Sequence, residues 1–296
     1  MSASYRGRLA PSPTGLLHVG HARTFWQANR RAQKAGGTLI LRNEDLDPQR
    51  SRLDFVDAML EDLRWLGIRW QEGPDVGGPY APYEQSRRRA VYLAVWKQLV
   101  QSGHLYPCTC SRKDLSRIAQ APHESGPAPR REQDEGPMYP GTCRPASGSV
   151  AAIHADGPAG VNWRFRVPDG KAIEFVDQNL GPQRFVGGED FGDFPVWRRD
   201  DVPAYQLAVV ADDLAMRVTE VVRGADLLLS TARQILLYRA LGQAPPLWYH
   251  CALVLDERGE RLAKRHDALS VQALRRQGKT PTQVLGVANQ GIPIAG

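Results

Sequence analysis

The chain has 296 residues, 42% of them apolar, and a formal net charge of +6. That apolar content is enough for a sizeable core in one large domain or two smaller ones. No run of about 18 apolar residues is present, and the N-terminus lacks the apolar segment of a signal peptide. We therefore expect a cytoplasmic protein with no membrane span. The basic excess fits either ordinary solubility or a polyanionic partner.

The first part of the chain predicts a strand–helix–strand unit. A short apolar strand over 5–10 ends in a Pro-Ser-Pro-Thr-Gly turn, and a helix follows over 19–35. Gly36 and Gly37 end that helix, and the next strand covers 38–42. This spacing predicts a parallel sheet whose ligand crevice lies at the carboxyl ends of the strands. The Pro-rich turn and the segment at 43–45 both fall at that edge.

The rest of the chain alternates between helical and β-rich patterns, with one Pro-, Gly- and charge-rich stretch at 120–137 that predicts a loop or a disordered insert. The other predicted elements are, in chain order, helices over 53–66 and 88–101, β-rich runs at 161–167 and 172–177, strands at 205–211 and 216–223, a helix over 230–241 capped by Ser230, a strand at 248–255, a basic loop at 261–266 and two short helices.

Because sheet-like strands resume after about residue 195, we expect one α/β nucleotide-type fold interrupted by an insertion. The length alone also permits two separate domains.

Two histidines, His18 and His21, open the first predicted helix around Gly20. A helix N-terminus that carries such groups suits a bound phosphate. The pattern is short, and it also fits two partly exposed histidines, or a zinc pair on one helical face. The strand, turn and helix around it favour the nucleotide interpretation.

Three of the four cysteines, Cys108, Cys110 and Cys143, lie close in sequence. Three thiolates need a fourth ligand to form a tetrahedral structural zinc site, and by residue type His104 or His123 is the usual choice. Reduced cysteines without a metal are the alternative. Cys251 lies in an apolar run and is interpreted as a small core residue.

Longer motifs carry a family resemblance. The segment RLAPSPTGLLHVGH at 8–21 resembles the HIGH signature of class I aminoacyl-tRNA synthetases, in the branch specific for glutamate and glutamine. The segments that agree with this branch are LRNEDLDPQR at 41–50, PYEQSRR at 82–88, AYQLAVVADD at 204–213, VTEVVRGADLLLSTARQ at 218–234 and LVLDERGERLAKRH at 253–266. Together they cover most of the chain outside 120–160, in the order of the family.

The resemblance implies an α/β fold with a Rossmann-type class I catalytic core formed by 1–104 and 196–250. An acceptor-type subdomain that contains zinc would be inserted at 105–195. The loop that resembles the second family signature, KMSKS, and a short helical piece would occupy 251–296, without an anticodon-binding domain.

The resemblance also implies the reaction, in which the carboxylate of glutamate attacks the α-phosphorus of ATP, bound with Mg²⁺. His18 and His21 would then donate hydrogen bonds to phosphate oxygens, and Gly20 would leave room for the adenine. The KMSKS signature is degenerate here, since 261–265 reads RLAKR. Lys264 keeps the position that contacts the pyrophosphate side of ATP. A solvated basic loop is the alternative.

The charges of glutamate suggest its binding residues. Arg8 and Arg223 match family positions where an arginine can make paired hydrogen bonds to a carboxylate. Glu44 would bind the ammonium group, and Tyr205 would donate its hydroxyl. Surface ion pairs are the alternative for an isolated arginine or glutamate. The resemblance adds Ala10 and Ser12 to the glutamate site, and it favours Tyr139 as the fourth zinc ligand, with His123 as the fallback.

Only 32 residues follow Lys264 in this chain of 296, too few for the helical region with which a conventional glutamyl-tRNA synthetase reads the anticodon. The chain therefore resembles the short paralogues that activate glutamate without tRNA and transfer it to queuosine at the wobble position of tRNA(Asp). We expect such a ligase, as a monomer. The alternatives are a minimal enzyme that charges tRNA(Glu), and a non-catalytic protein that binds RNA or an amino acid. The glutaminyl branch is disfavoured because its members are longer.

Overall fold

The computed structural model describes residues 4–111, 138–146, 157–254 and 270–287. The predicted loops at 120–137 and 261–266, and with them His123 and Lys264, lie outside the described residues. The described elements are β1 (Arg6–Leu9), α1 (Val19–Lys34), β2 (Thr38–Leu41), α2 (Leu53–Trp65), α3 (Arg89–Gln101), β3 (Leu105–Cys108), β4 (Asn162–Phe165), β5 (Ala172–Asp177), β6 (Gly181–Val186), β7 (Phe194–Trp197), α4 (Tyr205–Ala215), β8 (Glu220–Gly224), α5 (Leu228–Ala240), β9 (Leu247–Cys251), α6 (Val271–Arg276) and α7 (Pro281–Val287).

The predicted strand–helix–strand unit at the N-terminus is confirmed. Strands β1 and β2 pair in parallel, with Arg6 opposite Thr38 and Leu9 opposite Leu41, and α1 connects them. The turn between α1 and β2 needs its glycines. Gly36 has a φ of +58°, and a Cβ on Gly37 would lie 2.4 Å from the carbonyl oxygen of Tyr5.

A four-stranded sheet continues the same layer. Its order is β6-β5-β9-β8, and β9 runs parallel to both β5 and β8. The start of β8 is tied to β1, because the Thr219 amide donates to the Arg6 carbonyl at 2.9 Å and the Arg6 amide donates to the Thr219 hydroxyl at 2.8 Å. The carboxyl ends of β1 and β8 therefore lie side by side.

A separate antiparallel sheet has the order β3-β4-β7. It packs its apolar face on α3, where the indoles of Trp96 and Trp163 meet edge to face at 4.9 Å. Strands β5 and β6 also fall inside the predicted insertion at 105–195, but they belong to the four-stranded sheet, where β5 pairs with β9 and β6 pairs with β5.

One predicted strand and one predicted helix cap are wrong. The strand predicted at 205–211 is the first part of helix α4, which is buried on nearly all sides from Gln206 to Asp213. A helix buried all round shows no 3.6-residue period, so its apolar run resembles a buried strand. Ser230 does not cap a helix. It lies inside α5, buried, where its hydroxyl accepts a hydrogen bond from Gln206.

The strand predicted at 216–223 begins only at Glu220, after a turn in which Arg217 has a φ of +55°. Two short helices, α6 and α7, follow near the C-terminus as predicted. Across the described ranges, every helix is too short or too polar to cross a bilayer.

Candidate functional site

The residues predicted to bind glutamate converge at the carboxyl ends of the parallel strands. Arg8 lies on β1, Glu44 follows β2, and Arg223 lies on β8. Tyr205 is the first residue of α4, and its hydroxyl lies 3.5 Å from Nη1 of Arg223. Although 38% of the surface of Tyr205 is exposed, burial of its hydroxyl end raises the pKa of the phenol, and the charges of Arg223, Glu44 and Arg8 also act on it. The four side chains therefore lie close together.

Arg8 is buried, with 4% of its surface exposed. Its Nη1 donates to the Val222 carbonyl at 3.1 Å. Its Nε lies 3.7 Å from Oδ1 of Asp213 and forms no hydrogen bond within the described residues. A buried guanidinium with an unused donor is costly unless a ligand completes it.

Sequence analysis missed the residue that holds Glu44. Arg42 is fully buried, and its Nη2 donates to Oε1 of Glu44 at 2.9 Å while its Nη1 donates to Oδ1 of Asp213 at 2.6 Å. Burial raises the pKa of Glu44, and the charges of Arg42 and Arg8 counteract that rise. The sequence did contain a signal for this network, namely the acidic pair Asp212-Asp213 directly after an apolar run. Because that run was predicted to be a strand, no role was assigned to the two carboxylates.

Arg223 has a different environment, because its partners are neutral. Its Nε donates to Nε2 of His250 at 3.2 Å, and its Nη2 donates to the hydroxyl of Thr231 at 2.7 Å. Its guanidinium also faces the indole of Trp248 at 5.0 Å. No carboxylate of the described residues forms an ion pair with Arg223, although only 4% of its surface is exposed. Burial accordingly lowers its pKa.

His250 is a second buried polar residue beside Arg223 that sequence analysis missed. Its Nδ1 lies 2.6 Å from Oδ2 of Asp177, and both side chains are fully buried. Burial and the charge of Arg223 lower the pKa of His250 to about 4, so its ring is neutral near pH 7. Burial alone would raise the pKa of Asp177, but hydrogen bonds from His250, Leu180 and Asn179 outweigh that effect. The net pKa is lowered, and the carboxylate stays ionised. The sequence signal for His250 was its position as a polar residue inside the apolar run of β9.

The predicted phosphate site lies at the start of α1. His18 is the N-cap residue, and its Nδ1 accepts a hydrogen bond from the Gly20 amide at 3.1 Å. Its ring stacks on that of His21 with centroids 3.8 Å apart, and His21 lies against Phe25. Since Nδ1 of His18 accepts, the proton of the neutral ring belongs on Nε2. A Cβ on Gly20 would lie 3.0 Å from the His18 ring, so this glycine also makes room for the cap.

The remaining predicted site residues lie around this pocket or outside the described chain. Ala10 is half-buried and Ser12 is exposed in the Pro-rich turn. The turn is tied to the second strand by the Glu44 amide, which donates to the Pro11 carbonyl at 3.0 Å. Lys264 lies outside the described residues. Ser270, which follows that segment, forms a β-bridge with His18.

A second candidate site brings together the three cysteines and Tyr139. The sulfur atoms of Cys108, Cys110 and Cys143 lie within 4.8 Å of one another. The Tyr139 oxygen lies 3.4 Å from Sγ of Cys108 and 4.0 Å from that of Cys110, and Cys110 and Cys143 are 3.6 Å apart. A zinc–sulfur bond of about 2.3 Å places tetrahedral ligands about 3.8 Å apart. The four side chains therefore fit one zinc ion. His104 is not part of this group within the described residues.

The surroundings of this cluster supply partial positive charge. Burial raises the pKa of Cys143, but hydrogen bonds from the Thr109 backbone, Tyr139 and Cys110 lower it to about 6. Nε of Arg164 donates to Sγ of Cys108 at 3.3 Å, and the same guanidinium covers the ring of Tyr139 at 3.8 Å. These surroundings favour the thiolate, which is the form that binds metals, at Cys143, whereas burial and the neighbouring thiols raise the pKa of Cys110 to about 11.

The sequence matches a family described as tRNA synthetases class I (E and Q), catalytic domain, over residues 4–295. A glutamyl-Q tRNA(Asp) synthetase from Nitratidesulfovibrio vulgaris is 48% identical over 281 residues, which cover 95% of this chain and 84% of that protein. A protein of the same name from Symbiobacterium thermophilum is 50% identical with the same coverage. A glutamate–tRNA ligase 2 from Nitrosococcus oceani is 45% identical over 93% of this chain and 56% of its own length.

Solved structures give the same result. A glutamate tRNA ligase from Elizabethkingia meningosepticum, crystallised in complex with its amino acid, superposes with a TM-score of 0.74 at 31% identity. The match covers 89% of this chain and 52% of that one, so the chain spans about half the length of this structure. The predicted resemblance to the glutamate and glutamine branch is confirmed.

Proposed function

The chain belongs to the class I tRNA synthetase catalytic-domain family for glutamate and glutamine, a family of ligases, and from that membership we propose one specific activity. The protein activates L-glutamate with ATP, without tRNA, and transfers the glutamate to the queuosine base at the wobble position of tRNA(Asp).

The observation that carries the proposal is the buried pair Arg8 and Arg223. Arg223 has only neutral partners, and Nε of Arg8 has no hydrogen bond in the described chain. Glutamate supplies what this pocket lacks, namely two carboxylates. Its ammonium group suits Glu44, whose two hydrogen bonds from Arg42 both end on Oε1. Tyr205, Ala10 and Ser12 complete the proposed glutamate site.

The activation step needs positioning and charge rather than a covalent intermediate. An oxygen of the glutamate carboxylate attacks the α-phosphorus of ATP, the bond to the bridging oxygen breaks, and pyrophosphate leaves. His18 and His21 donate hydrogen bonds to the phosphate oxygens as charge builds up there. Lys264 contacts the pyrophosphate, Gly20 lies beside the adenine, and Mg²⁺ enters with ATP.

We assign one structural zinc ion to Cys108, Cys110, Tyr139 and Cys143. The ligand spacing and the nearby hydrogen-bond donors support this assignment. In the proposed domain organisation, 105–195 is the zinc-containing acceptor-type subdomain between the two halves of the core, 1–104 and 196–250. The KMSKS-like loop and the terminal helices occupy 251–296.

The proposed acceptor is the anticodon base of tRNA(Asp). The higher identity to the two relatives named glutamyl-Q tRNA(Asp) synthetase than to the Nitrosococcus oceani ligase supports this choice. The net charge of +6 suits an RNA partner. Because its proposed substrates include ATP and tRNA, we propose a cytoplasmic location. We also propose that the enzyme acts as a monomer.

Glutamate-dependent exchange of pyrophosphate into ATP, measured without tRNA, tests the activation step. We expect exchange with glutamate and little or none with glutamine or aspartate. If saturating ATP and glutamate give no exchange, the chain is a binding module and not an activating enzyme.

Transfer of radiolabelled glutamate tests the acceptor. We expect label on tRNA(Asp) that contains queuosine and none on tRNA(Asp) that lacks it. Nuclease digestion should place the label on the anticodon fragment. Label on the 3′-terminal adenosine of tRNA(Glu) would instead identify a minimal glutamyl-tRNA synthetase.

A further inference from the structure

Asp177 and His250 form a buried pair behind the glutamate pocket. Asp177 ends β5 and His250 lies on the neighbouring parallel strand β9. Nδ1 of His250 is 2.6 Å from Oδ2 of Asp177, and both side chains have no exposed surface. Because a carboxylate only accepts, the ring must donate from Nδ1. In a neutral imidazole, Nε2 is then a hydrogen-bond acceptor.

That acceptor holds one edge of Arg223. A guanidinium carries five N–H donors in a planar arrangement. The edge formed by Nε and Nη2 is already bound, since Nε donates to Nε2 of His250 at 3.2 Å and Nη2 donates to Thr231 at 2.7 Å. The terminal edge, formed by Nη1 and the second proton of Nη2, faces Tyr205 and the pocket. A carboxylate fits such an edge with two parallel hydrogen bonds.

The partner of Arg223 is a neutral ring and not a carboxylate. A carboxylate in direct contact would orient the guanidinium but would also compete with an incoming anion for its charge. The imidazole lets Asp177 fix the orientation of the Arg223 guanidinium, while the ring separates the negative charge of Asp177 from that guanidinium. Arg42, by contrast, forms ion pairs directly with Glu44 and Asp213, and these carboxylates already neutralise its charge.

We propose that Asp177 and His250 are positioning residues that fix the terminal edge of Arg223 for the side-chain carboxylate of glutamate, and so favour glutamate over glutamine. This inference rests on the proposed glutamate activation. Glutamine would turn its side-chain amide N–H toward the N–H groups of Arg223. Buried donors of Arg223 would then have no acceptor, which disfavours glutamine.

The decisive variant is Asp177→Asn. Its Oδ1 still accepts from the amides of Asn179 and Leu180, which bond to Oδ1 in the native chain. Its amide N–H₂ instead faces Nδ1 of His250, which reverses the tautomer, so that Nε2 carries an N–H toward Nε of Arg223 and the Thr231 hydroxyl and no longer accepts from Arg223. We expect the KM for glutamate in pyrophosphate exchange to rise about 10- to 100-fold, with kcat changed less than about threefold. The preference for glutamate over glutamine should fall by a similar factor.

The conservative variant His250→Gln distinguishes positioning from a structural role. A glutamine amide oxygen can accept from Arg223 without a fixed tautomer, so the KM for glutamate should stay within about threefold of the native value. In this background Asp177→Asn should have no additional effect on KM. His250→Leu, which has no acceptor, should raise KM as Asp177→Asn does. Asp193→Asn, at a buried carboxylate in the β3-β4-β7 region, is the matched control and should leave KM unchanged.

Nitrogen NMR of protein labelled with ¹⁵N-histidine reads the tautomer directly. We expect one ring with the proton on Nδ1 in the native protein and with the proton on Nε2 in Asp177→Asn. An unchanged KM in Asp177→Asn, or equal losses for glutamate and ATP, would overturn the positioning role. If the native protein shows no glutamate-dependent exchange, the proposed function fails instead, and the tautomer measurement still tests the Asp177–His250 geometry.

Discussion

Single residues in the pocket differ in whether their charge is already neutralised. Arg42 contacts two carboxylates at 2.9 and 2.6 Å, which makes it part of the scaffold. Arg8 lies 3.7 Å from one carboxylate, and Arg223 has none within the described chain. A buried cation without a full counter-charge is costly to the free protein, and an anionic ligand removes that cost. The incompletely neutralised charges therefore support Arg8 and Arg223, and not Arg42, as the proposed positions for the ligand carboxylates.

Replacement of His21 tests the phosphate site. His21→Ala should lower the rate of glutamate-dependent pyrophosphate exchange about 10²- to 10³-fold, because a hydrogen bond that is strongest in the transition state is lost. The melting temperature should change little, since His21 is only half-buried. His104→Ala, at a half-buried histidine that stacks on Phe165, is the control. A near-native rate in His21→Ala would exclude the start of α1 as the phosphate site.

Replacement of Arg8 tests the carboxylate pocket. Arg8→Lys keeps a positive charge near Asp213 but removes the planar set of donors, so the KM for glutamate should rise about 10- to 100-fold. The KM for ATP should be nearly unchanged. Arg6→Lys is the matched control, because Arg6 lies on the same strand and makes paired hydrogen bonds to Glu72 instead. Equal effects of the two variants would mean that Arg8 acts only through folding.

Among the elements, those with a clear period or a clear boundary could be predicted from sequence. The β1-α1-β2 unit was predicted because glycines and a Pro-rich turn bound it. Helix α4 was not, because its burial on all sides removes the polar face that identifies a helix. That error hid Asp212 and Asp213, and with them the network that holds Glu44. Arg8, Glu44 and Arg223 came from motif resemblance, whereas the link from Asp177 to His250 joins residues 73 positions apart.

The loop that carries Tyr139 and Cys143 should depend on its metal. The native protein should contain about one zinc ion per chain, and Tyr139→Phe should lose most of it because the phenol oxygen is removed while the ring against Arg164 remains. Elemental analysis after dialysis against a weak chelator measures this. Cys251→Ser, at a buried cysteine outside the cluster, should keep its zinc. Full zinc retention in Tyr139→Phe would point to another fourth ligand, such as His123.

At the scale of the whole molecule, two later segments of the chain contact the β1-α1 unit. The start of β8 bonds to β1 through Thr219 and Arg6, which places Arg223 beside Arg8. The helices near the C-terminus then return to the start of α1, where the Val271 amide donates to the Leu17 carbonyl at 2.7 Å. Local sequence patterns contain no information about these contacts. The β1-α1 unit therefore contacts both β8 and the helices near the C-terminus.

The contact between α2 and α6 makes a prediction about stability and pH. Asp62 on α2 has no exposed surface, and neither of its oxygens has a hydrogen-bond partner in the described chain. Arg275 on α6 lies 3.7 Å away and pairs more closely with Glu61, at 2.9 Å. Burial therefore raises the pKa of Asp62 to about 6 despite the nearby arginines. In the unfolded chain the pKa returns to its ordinary value near 4.

Between about pH 4 and pH 6 the folded protein thus binds a proton that the unfolded chain has lost, and the free energy of unfolding decreases as the pH rises through this window. Above pH 6 the full cost of an ionised, buried Asp62 remains. Asp62→Asn should remove that cost, which makes the variant more stable than the native protein by about 2 kcal/mol at pH 7 to 8. The difference should shrink towards zero near pH 4.

Chemical denaturation at several pH values measures this difference. Asp57→Asn, at an exposed carboxylate on the same helix, is the control and should give curves that follow the native protein at every pH. A stability gain in Asp62→Asn that is the same at pH 4 and pH 8 would mean that the carboxylate never titrates in this window.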